Sequence, residues 1–229
     1  MHDRGNAMRH DETGHGQHGP DAAPARAAGQ PDLLDALDAA SPRYWDDHFE
    51  RRHTPWDQGG APPAFQAFAA RQPRPLEVLI PGCGSAHEAL WLAERGWRVR
   101  AIDFSAAAAA AAQARLGAHR ACAEQADFFG YQPPFAPGWI YERAFLCALP
   151  RARQRDYAAR MAELLAPGAL LAGFFLIGAT PSGPPFGFVH DALLALLGPH
   201  FELLEEHGVA GSIPAFAGKE RWMTWRRRR

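Results

Sequence analysis

The residues whose types and spacing could do chemistry are the Gly82-Cys83-Gly84-Ser85-Ala86 run, Asp103, the Asp127-Phe128 pair and Arg143. Two glycines one residue apart let a backbone turn tightly and approach a ligand without side-chain clash. Asp103 follows Gly82 by 21 positions, close to the roughly 20 at which an acid in such a site meets ribose hydroxyls. A second acid with a phenylalanine beside it, Asp127-Phe128, can meet an adenine amino group and cover the ring. Each feature also has a purely structural reading. The glycines can serve a tight turn, Asp103 and Asp127 can cap helices, and Phe128 can pack in the core.

These residues need a scaffold, and the flanking segments supply one. Leu76–Ile80 is a short apolar run ending at a breaker, as in a buried parallel strand. Glu88–Arg95 has helical spacing and stops at Gly96, a plausible C-cap. Trp97–Ile102 alternates as a second strand that carries Asp103 at its end. Ser105 can cap a helix over Ala106–Leu116, whose alanines are strong helix formers. Arg120–Glu124 and Trp139–Phe145 read as third and fourth strands, with Arg143 near the carboxyl end of the fourth, where open sheets bind ligands. A helix over Pro150–Leu165 and an apolar strand over Ala169–Ile177 follow. After the Thr180–Phe186 loop come a helix over Val189–Leu197 and strands over Phe201–Glu206 and Arg221–Trp225. Strands alternating with helices predict an α/β fold of the Rossmann-like, doubly wound type.

Composition excludes several classes. The 229 residues suit one domain with extensions, and 47% hydrophobic content is ordinary for a globular chain. A net charge of −1 and a pI of about 6.8 give no global basic field, so no nucleic-acid partner is expected. Arg226–Arg229 reads as a solvated tail. Cys83, Cys122 and Cys147 are scattered and odd in number, which fits reduced thiols in a cytoplasmic protein. The polar N-terminus shows no secretory signal, and the longest apolar stretch, Ala169–Gly178, is too short to span a bilayer. No membrane association is expected, and a monomer is.

Met1–Pro31, rich in His, Gly, Asp, Ala and Pro without periodicity, is expected to be a disordered leader. Its histidines lack ordered ligand spacing, so no metal is expected. Residues 32–229 are then one domain, opening with a helical cover over about 32–74. There, Asp32–Ala40, Pro42–Arg51 and Pro63–Arg71 read as helices. Tyr44, Trp45, Phe49 and Trp56 concentrate aromatics before the first strand. They can be packing residues or a cover over a cationic ligand.

Six segments in order resemble the thiopurine S-methyltransferase family: Thr54–Gly59 (TPWDQG), Val78–Glu88 (VLIPGCGSAHE), Ala101–Ser105 (AIDFS), Asp127–Phe129 (DFF), Gly183–Phe186 (GPPF) and Ser212–Glu220 (SIP…GKE). Within it the halide/thiol methyltransferase branch is the closer likeness. The resemblance covers roughly Tyr44–Trp225. It implies a seven-stranded, mostly parallel sheet with an antiparallel last strand. S-adenosyl-L-methionine would lie over the first two strands. It further implies that Gly82 and Gly84 contact the methionine end, Asp103 and Phe104 the ribose region, and Asp127 and Phe128 the adenine. Trp45, Phe49 and Trp56 would cover the donor. Arg143 would touch donor and acceptor, and Pro184, Pro185 and Phe186 would line the acceptor end. The chain departs from the halide/thiol pattern at Ala86 (usually glycine), Glu88 (usually aspartate), Phe49 (usually tryptophan) and Arg143 (usually tyrosine).

The implied reaction is in-line methyl transfer to a small soft nucleophile: a thiol, thiopurine, hydrosulfide, halide, or selenium or tellurium anion. A thiol is partly thiolate near neutral pH, so alignment and desolvation carry most of the work. Arg143 could hold or acidify an anionic acceptor. Two alternatives share the glycine loop and acid: an NAD-dependent oxidoreductase, and a non-catalytic binding module that kept the fold.

Overall fold

The computed structural model describes residues 39–180, 182–213 and 216–229. The expected leader lies outside them, as does the expected helix over Asp32–Ala40 except for residues 39 and 40, which form a turn. The chain order is α1 (Pro42–Glu50), α2 (Pro63–Ala70), β1 (Val78–Pro81), α3 (His87–Ala93), β2 (Val99–Asp103), α4 (Ala106–Leu116), β3 (Ala123–Gln125) and β4 (Trp139–Arg143). It continues with α5 (Gln154–Leu164), β5 (Leu170–Leu176), α6 (His190–Leu197), β6 (Phe201–Gly208) and β7 (Glu220–Arg227).

The described strands form one seven-stranded sheet in the order β3-β2-β1-β4-β5-β7-β6. β7 runs antiparallel to both its neighbours, and the other pairings are parallel. This is the Rossmann-like arrangement expected. β1 and β4 lie side by side although the chain travels outward through β2 and β3 between them. The strand order therefore reverses at β1/β4, and a crevice opens there at the carboxyl ends.

Side-chain alternation along the strands builds a core on each face of the sheet. Val78, Ile80, Ala101, Trp139, Tyr141, Phe174 and Trp222 pack with Phe65 and Phe68 of α2, Leu92 of α3 and Leu116 of α4. Leu79, Ile102, Ile140, Leu171, Phe175 and Trp225 pack with Tyr157 and Met161 of α5 and Leu193 and Leu197 of α6. Helices cover both faces, as parallel strands require.

Several boundaries differ from the sequence expectation. α3 ends at Ala93, and Gly96, at φ +74°, closes it with the Trp97 amide bonded to Leu92 O at 3.1 Å. Trp97 therefore belongs to the cap, and β2 starts at Val99. Gly117 ends α4 at φ +55°, and Gly117–Cys122 tightens into a 3-10 turn, leaving only Ala123–Gln125 to pair with β2. Arg151–Arg153 is likewise a 3-10 turn, so α5 begins at Gln154. No helix among the described residues is long and apolar enough to cross a membrane.

Candidate active site

The glycine loop leaves β1 at Pro81 and turns directly into α3. Gly82 and Gly84 both have positive φ, +59° and +49°. A Cβ on Gly82 would lie 2.6 Å from Phe145 Cδ2, so backbone conformation and packing both demand glycine there. The Asp103 carboxylate holds the loop. Its Oδ2 accepts from the Gly84 amide at 3.1 Å and its Oδ1 from the Ser105 amide at 3.0 Å. Burial pushes the Asp103 carboxyl up to about 6, against the pull of the Ser105 and Gly84 amides and with a contribution from the Asp46 charge. Capping of α4 falls to Ser105, whose Oγ accepts from the Ala108 amide at 3.0 Å.

The aromatic segment folds back onto this loop. Trp45 and Trp56 meet edge-on at 5.5 Å, Phe49 and Trp56 lie 6.3 Å apart, and the buried His48 ring sits 5.2 Å from Trp56. Trp45 Nε1 donates to Ala39 O at 2.9 Å. Polar contacts that sequence reasoning missed fix the segment in place. Asp46 Oδ1 accepts from the Ser105 hydroxyl at 2.6 Å and the Ala107 amide at 3.0 Å. Asp57 Oδ1 lies 2.8 Å from His87 Nε2 at the start of α3. Burial alone would raise the Asp57 carboxyl, but hydrogen bonds from Ser85 and Gly59 and the nearby His87 hold it below its usual range. Gln58 Nε2 donates to Gly211 O at 2.7 Å, joining the segment to the β6–β7 connection.

Beyond β3, Asp127 is exposed and its Oδ1 accepts from the Phe129 amide at 3.0 Å, so it closes a turn rather than capping a helix. Phe128 is buried, edge-on to Phe129 and Phe145. At the end of β4, Arg143 is not a free cation. Its Nη1 donates to Glu88 Oε1 at 3.3 Å, with both side chains 12% exposed, and its guanidinium lies 4.9 Å over the Phe174 ring. The Tyr141 hydroxyl donates to the same Glu88 oxygen at 3.1 Å. Glu88 is thus the hub of the site's floor. The sequence marked it only as the end of the Val78–Glu88 segment and as a departure from the halide/thiol pattern, with no role attached.

One cavity of about 450 Å³ joins these parts, within the usual range for a small-molecule site. Gly82, Gly84, Asp103, Phe104, Asp127 and Phe128 line it, together with Trp45, Phe49 and Trp56 of the aromatic segment. Arg143, Pro184 and Pro185 line it as well. Phe186 is not among the lining residues. Its ring lies 5.6 Å from the Arg151 guanidinium, and its amide donates to Cys147 O at 2.6 Å. Asp57, His87, Glu88 and Cys147 also line the cavity.

The family model described as thiopurine S-methyltransferase matches residues 40–228. Thiocyanate methyltransferase 1 of Arabidopsis thaliana is 30% identical over 192 residues, covering 80% of this chain and 84% of that protein. Thiopurine S-methyltransferase of Methylococcus capsulatus is 28% identical over 202 residues, covering 78% and 91%. Among solved structures, the 1,6-didemethyltoxoflavin-N1-methyltransferase of Burkholderia thailandensis, with bound S-adenosylhomocysteine, superposes with a TM-score of 0.65. It is 22% identical and covers 93% of this chain and 99% of that one, which speaks for the fold. None of these relatives is a nicotinamide-dependent oxidoreductase. With the family model matched from the cover through to the last strand, the chain belongs to the thiopurine S-methyltransferase family.

Proposed function

We propose that the cavity binds S-adenosyl-L-methionine between the glycine loop, Asp103 and the aromatic cover, with the methyl acceptor at the Arg143 end. The protein is an S-adenosyl-L-methionine-dependent methyltransferase acting on a soft nucleophile, in keeping with its family and with relatives named for thiocyanate and thiopurines. The observation that carries the placement is the junction of Asp103 with Gly84. A buried carboxylate and the loop backbone are joined there, and both residues line the cavity.

The residues present fit the donor. Gly82 keeps the loop wall free of side chain, and a side chain there would strike Phe145. Asp103 offers acceptor lone pairs beyond its two amide contacts, suited to vicinal hydroxyls. Phe128 and Phe129 give an apolar wall for a base, and the Trp45–Trp56 pair presents aromatic surface to a cation. When bound, the donor supplies a methyl group already activated on a sulfonium. The chain's own work is to align the acceptor, exclude water and hold charge in place. Arg143, fixed by Glu88 and Phe174, is a positioned wall of the acceptor end. A cavity of about 450 Å³ supports a small-molecule acceptor. The reading places the enzyme in the cytoplasm, which three free cysteines suit.

Calorimetric titration with S-adenosylhomocysteine, paired with methyl-transfer assays across thiols, thiopurines, hydrosulfide and iodide, tests the reading. Saturable binding and turnover of at least one soft nucleophile are expected. Binding of NADH in preference to S-adenosylhomocysteine would overturn it.

A further inference from the structure

Glu220 opens β7 and belongs to the Gly218-Lys219-Glu220 segment, which the site described above leaves without a role. The sheet register explains its position. Arg143 pairs with Phe174 across β4 and β5, Phe174 pairs with Trp222 across β5 and β7, and Leu176 pairs with Glu220 two residues on. Side chains two apart share a face. Glu220 therefore lies on the face of Arg143 and Phe174, at the carboxyl end of the parallel strands. It is 5% exposed, and its Oε2 is enclosed without a hydrogen-bond partner. A buried polar atom left without a partner is uncommon in a folded protein and calls for an explanation.

The surroundings show what the carboxylate faces. Its charge acts on Arg143 and Tyr141 of β4 and on Cys147. Burial holds the Tyr141 hydroxyl and the Cys147 thiol in their neutral forms, and it pushes the Glu142 carboxyl up to about 7. Arg221, next along the strand, is taken by Glu206. Glu220 lines a void of about 10 Å³, at the lower limit for one water molecule. Ala144, Cys147 and Phe216 line both spaces. A water seated in that void, behind the wall the two spaces share, would give the carboxylate the one-water reach of a proton acceptor. Glu88 and Glu220 set two carboxylates against the guanidinium of Arg143, and Arg153, which also lines the cavity, is taken by Asp156. That local balance disfavours a small anion beside Arg143 and admits a neutral nucleophile.

We propose that Glu220 takes the proton of the methyl acceptor, and that the enzyme binds this acceptor as a neutral thiol rather than as a preformed inorganic anion. The proposal rests on the methyltransferase reading above. The S–H bond breaks, and its proton passes through the intervening water to the Glu220 carboxylate. The freed sulfur electron pair forms the new S–CH3 bond. The bond from the methyl carbon to the donor sulfonium breaks, and its electron pair stays on the donor sulfur, which becomes a neutral thioether. One carboxylate and one sulfonium become one carboxyl and one thioether, so charge balances, and Glu220 then returns its proton to solvent.

The test compares the full-length enzyme with Glu220→Gln, using 2-mercaptoethanol and iodide as probes. One pH unit below the thiol's pKa about a tenth of it is already thiolate, so the variant is expected to lose about tenfold in kcat/KM for the thiol. The loss should grow tenfold for each further unit of pH lowered and vanish above that pKa. Iodide carries no proton, so its turnover should hold or rise. Its affinity by calorimetry should rise severalfold once the negative charge is removed. Equal losses for thiol and iodide, or a thiol pH profile unchanged by the substitution, would overturn the proposal. If Glu220→Gln does not fold by circular dichroism, Glu220→Asp and the wild-type profile decide. Thiol turnover that tracks the thiolate fraction in the wild type overturns the proposal, and a flat profile kept by the Asp variant supports it. A wild type that methylates neither probe nor any other soft nucleophile counts instead against the methyltransferase reading.

Discussion

Asp46 accepts a 2.6 Å hydrogen bond from the Ser105 hydroxyl, and through it the aromatic cover is fastened to the residue that caps α4. Ser105 is two positions from Asp103, whose Oδ1 holds the Ser105 amide. Cover and candidate ribose acid therefore share one small polar joint. Asp46→Ala removes two hydrogen bonds at once, including that from the Ala107 amide in the first turn of α4. A loss of about 1–2 kcal/mol in stability is expected. Weaker S-adenosylhomocysteine binding should accompany it. Thermal melts and calorimetry check both, and an unchanged affinity would separate the cover from the donor site.

Asp103 carries the next prediction, through its pH dependence. Its folded pKa of about 6 is raised above the ordinary 3.8. Its contribution to stability is thus full below the unfolded value and lost as pH rises through about 6. Donor binding should run the other way, because the charged carboxylate is the stronger acceptor for ribose hydroxyls. Affinity for S-adenosylhomocysteine is expected to fall as pH drops below about 6. Calorimetry over that range is the check, and Asp103→Asn should flatten the curve.

Glu142 predicts a stability effect of the same sign without a donor effect. Burial pushes its carboxyl up to about 7 from 4.5, although Tyr157 and the Leu146 and Phe145 amides hydrogen-bond to it. Stability should decline as pH rises through about 7, by an amount on the order of 1–3 kcal/mol. Melts near pH 6 and pH 8 measure it, and Glu142→Gln should reduce the difference.

Gly82→Ala tests the wall of the glycine loop. The new methyl group would lie 2.6 Å from Phe145 Cδ2, on a backbone at φ +59°. Strain and overpacking together should cost about 1–3 kcal/mol. Because Phe145 and Gly82 both line the cavity, donor affinity should fall with stability. Denaturant unfolding and calorimetry read the two effects separately.

Trp56→Ala tests the cover. Trp56 touches Trp45, His48 and Phe49 and lines the cavity. Its removal should weaken binding of a sulfonium donor by about 0.5–2 kcal/mol. The neutral thioether product should lose less, because the cation–aromatic contact is absent there. Equal losses for S-adenosylmethionine and S-adenosylhomocysteine would leave Trp56 a packing role alone.

The sequence by itself determined the order of elements and the positions of Gly82, Asp103 and Ser105. Those are local matters: alternation of apolar residues, glycine where φ is positive, and a hydroxyl residue before an alanine run each act within a few positions. Boundaries slipped where tight turns competed, as at Gly117–Cys122 and Arg151–Arg153. Only the tertiary structure decided who partners whom across the sheet's end. Arg143 reads from the chain as a cation at a ligand-binding strand end, and only the fold shows that Glu88, 55 residues earlier, engages it. Asp46 reaches Ser105 across 59 residues, and Gln58 reaches Gly211 across 153. Glu220 joins the face of Arg143 only because β7 inserts antiparallel between β5 and β6. Such pairings depend on register and crossover, which no periodicity along the chain encodes. The same physics explains why the loop and its acid were legible and the charge balance around the acceptor was not.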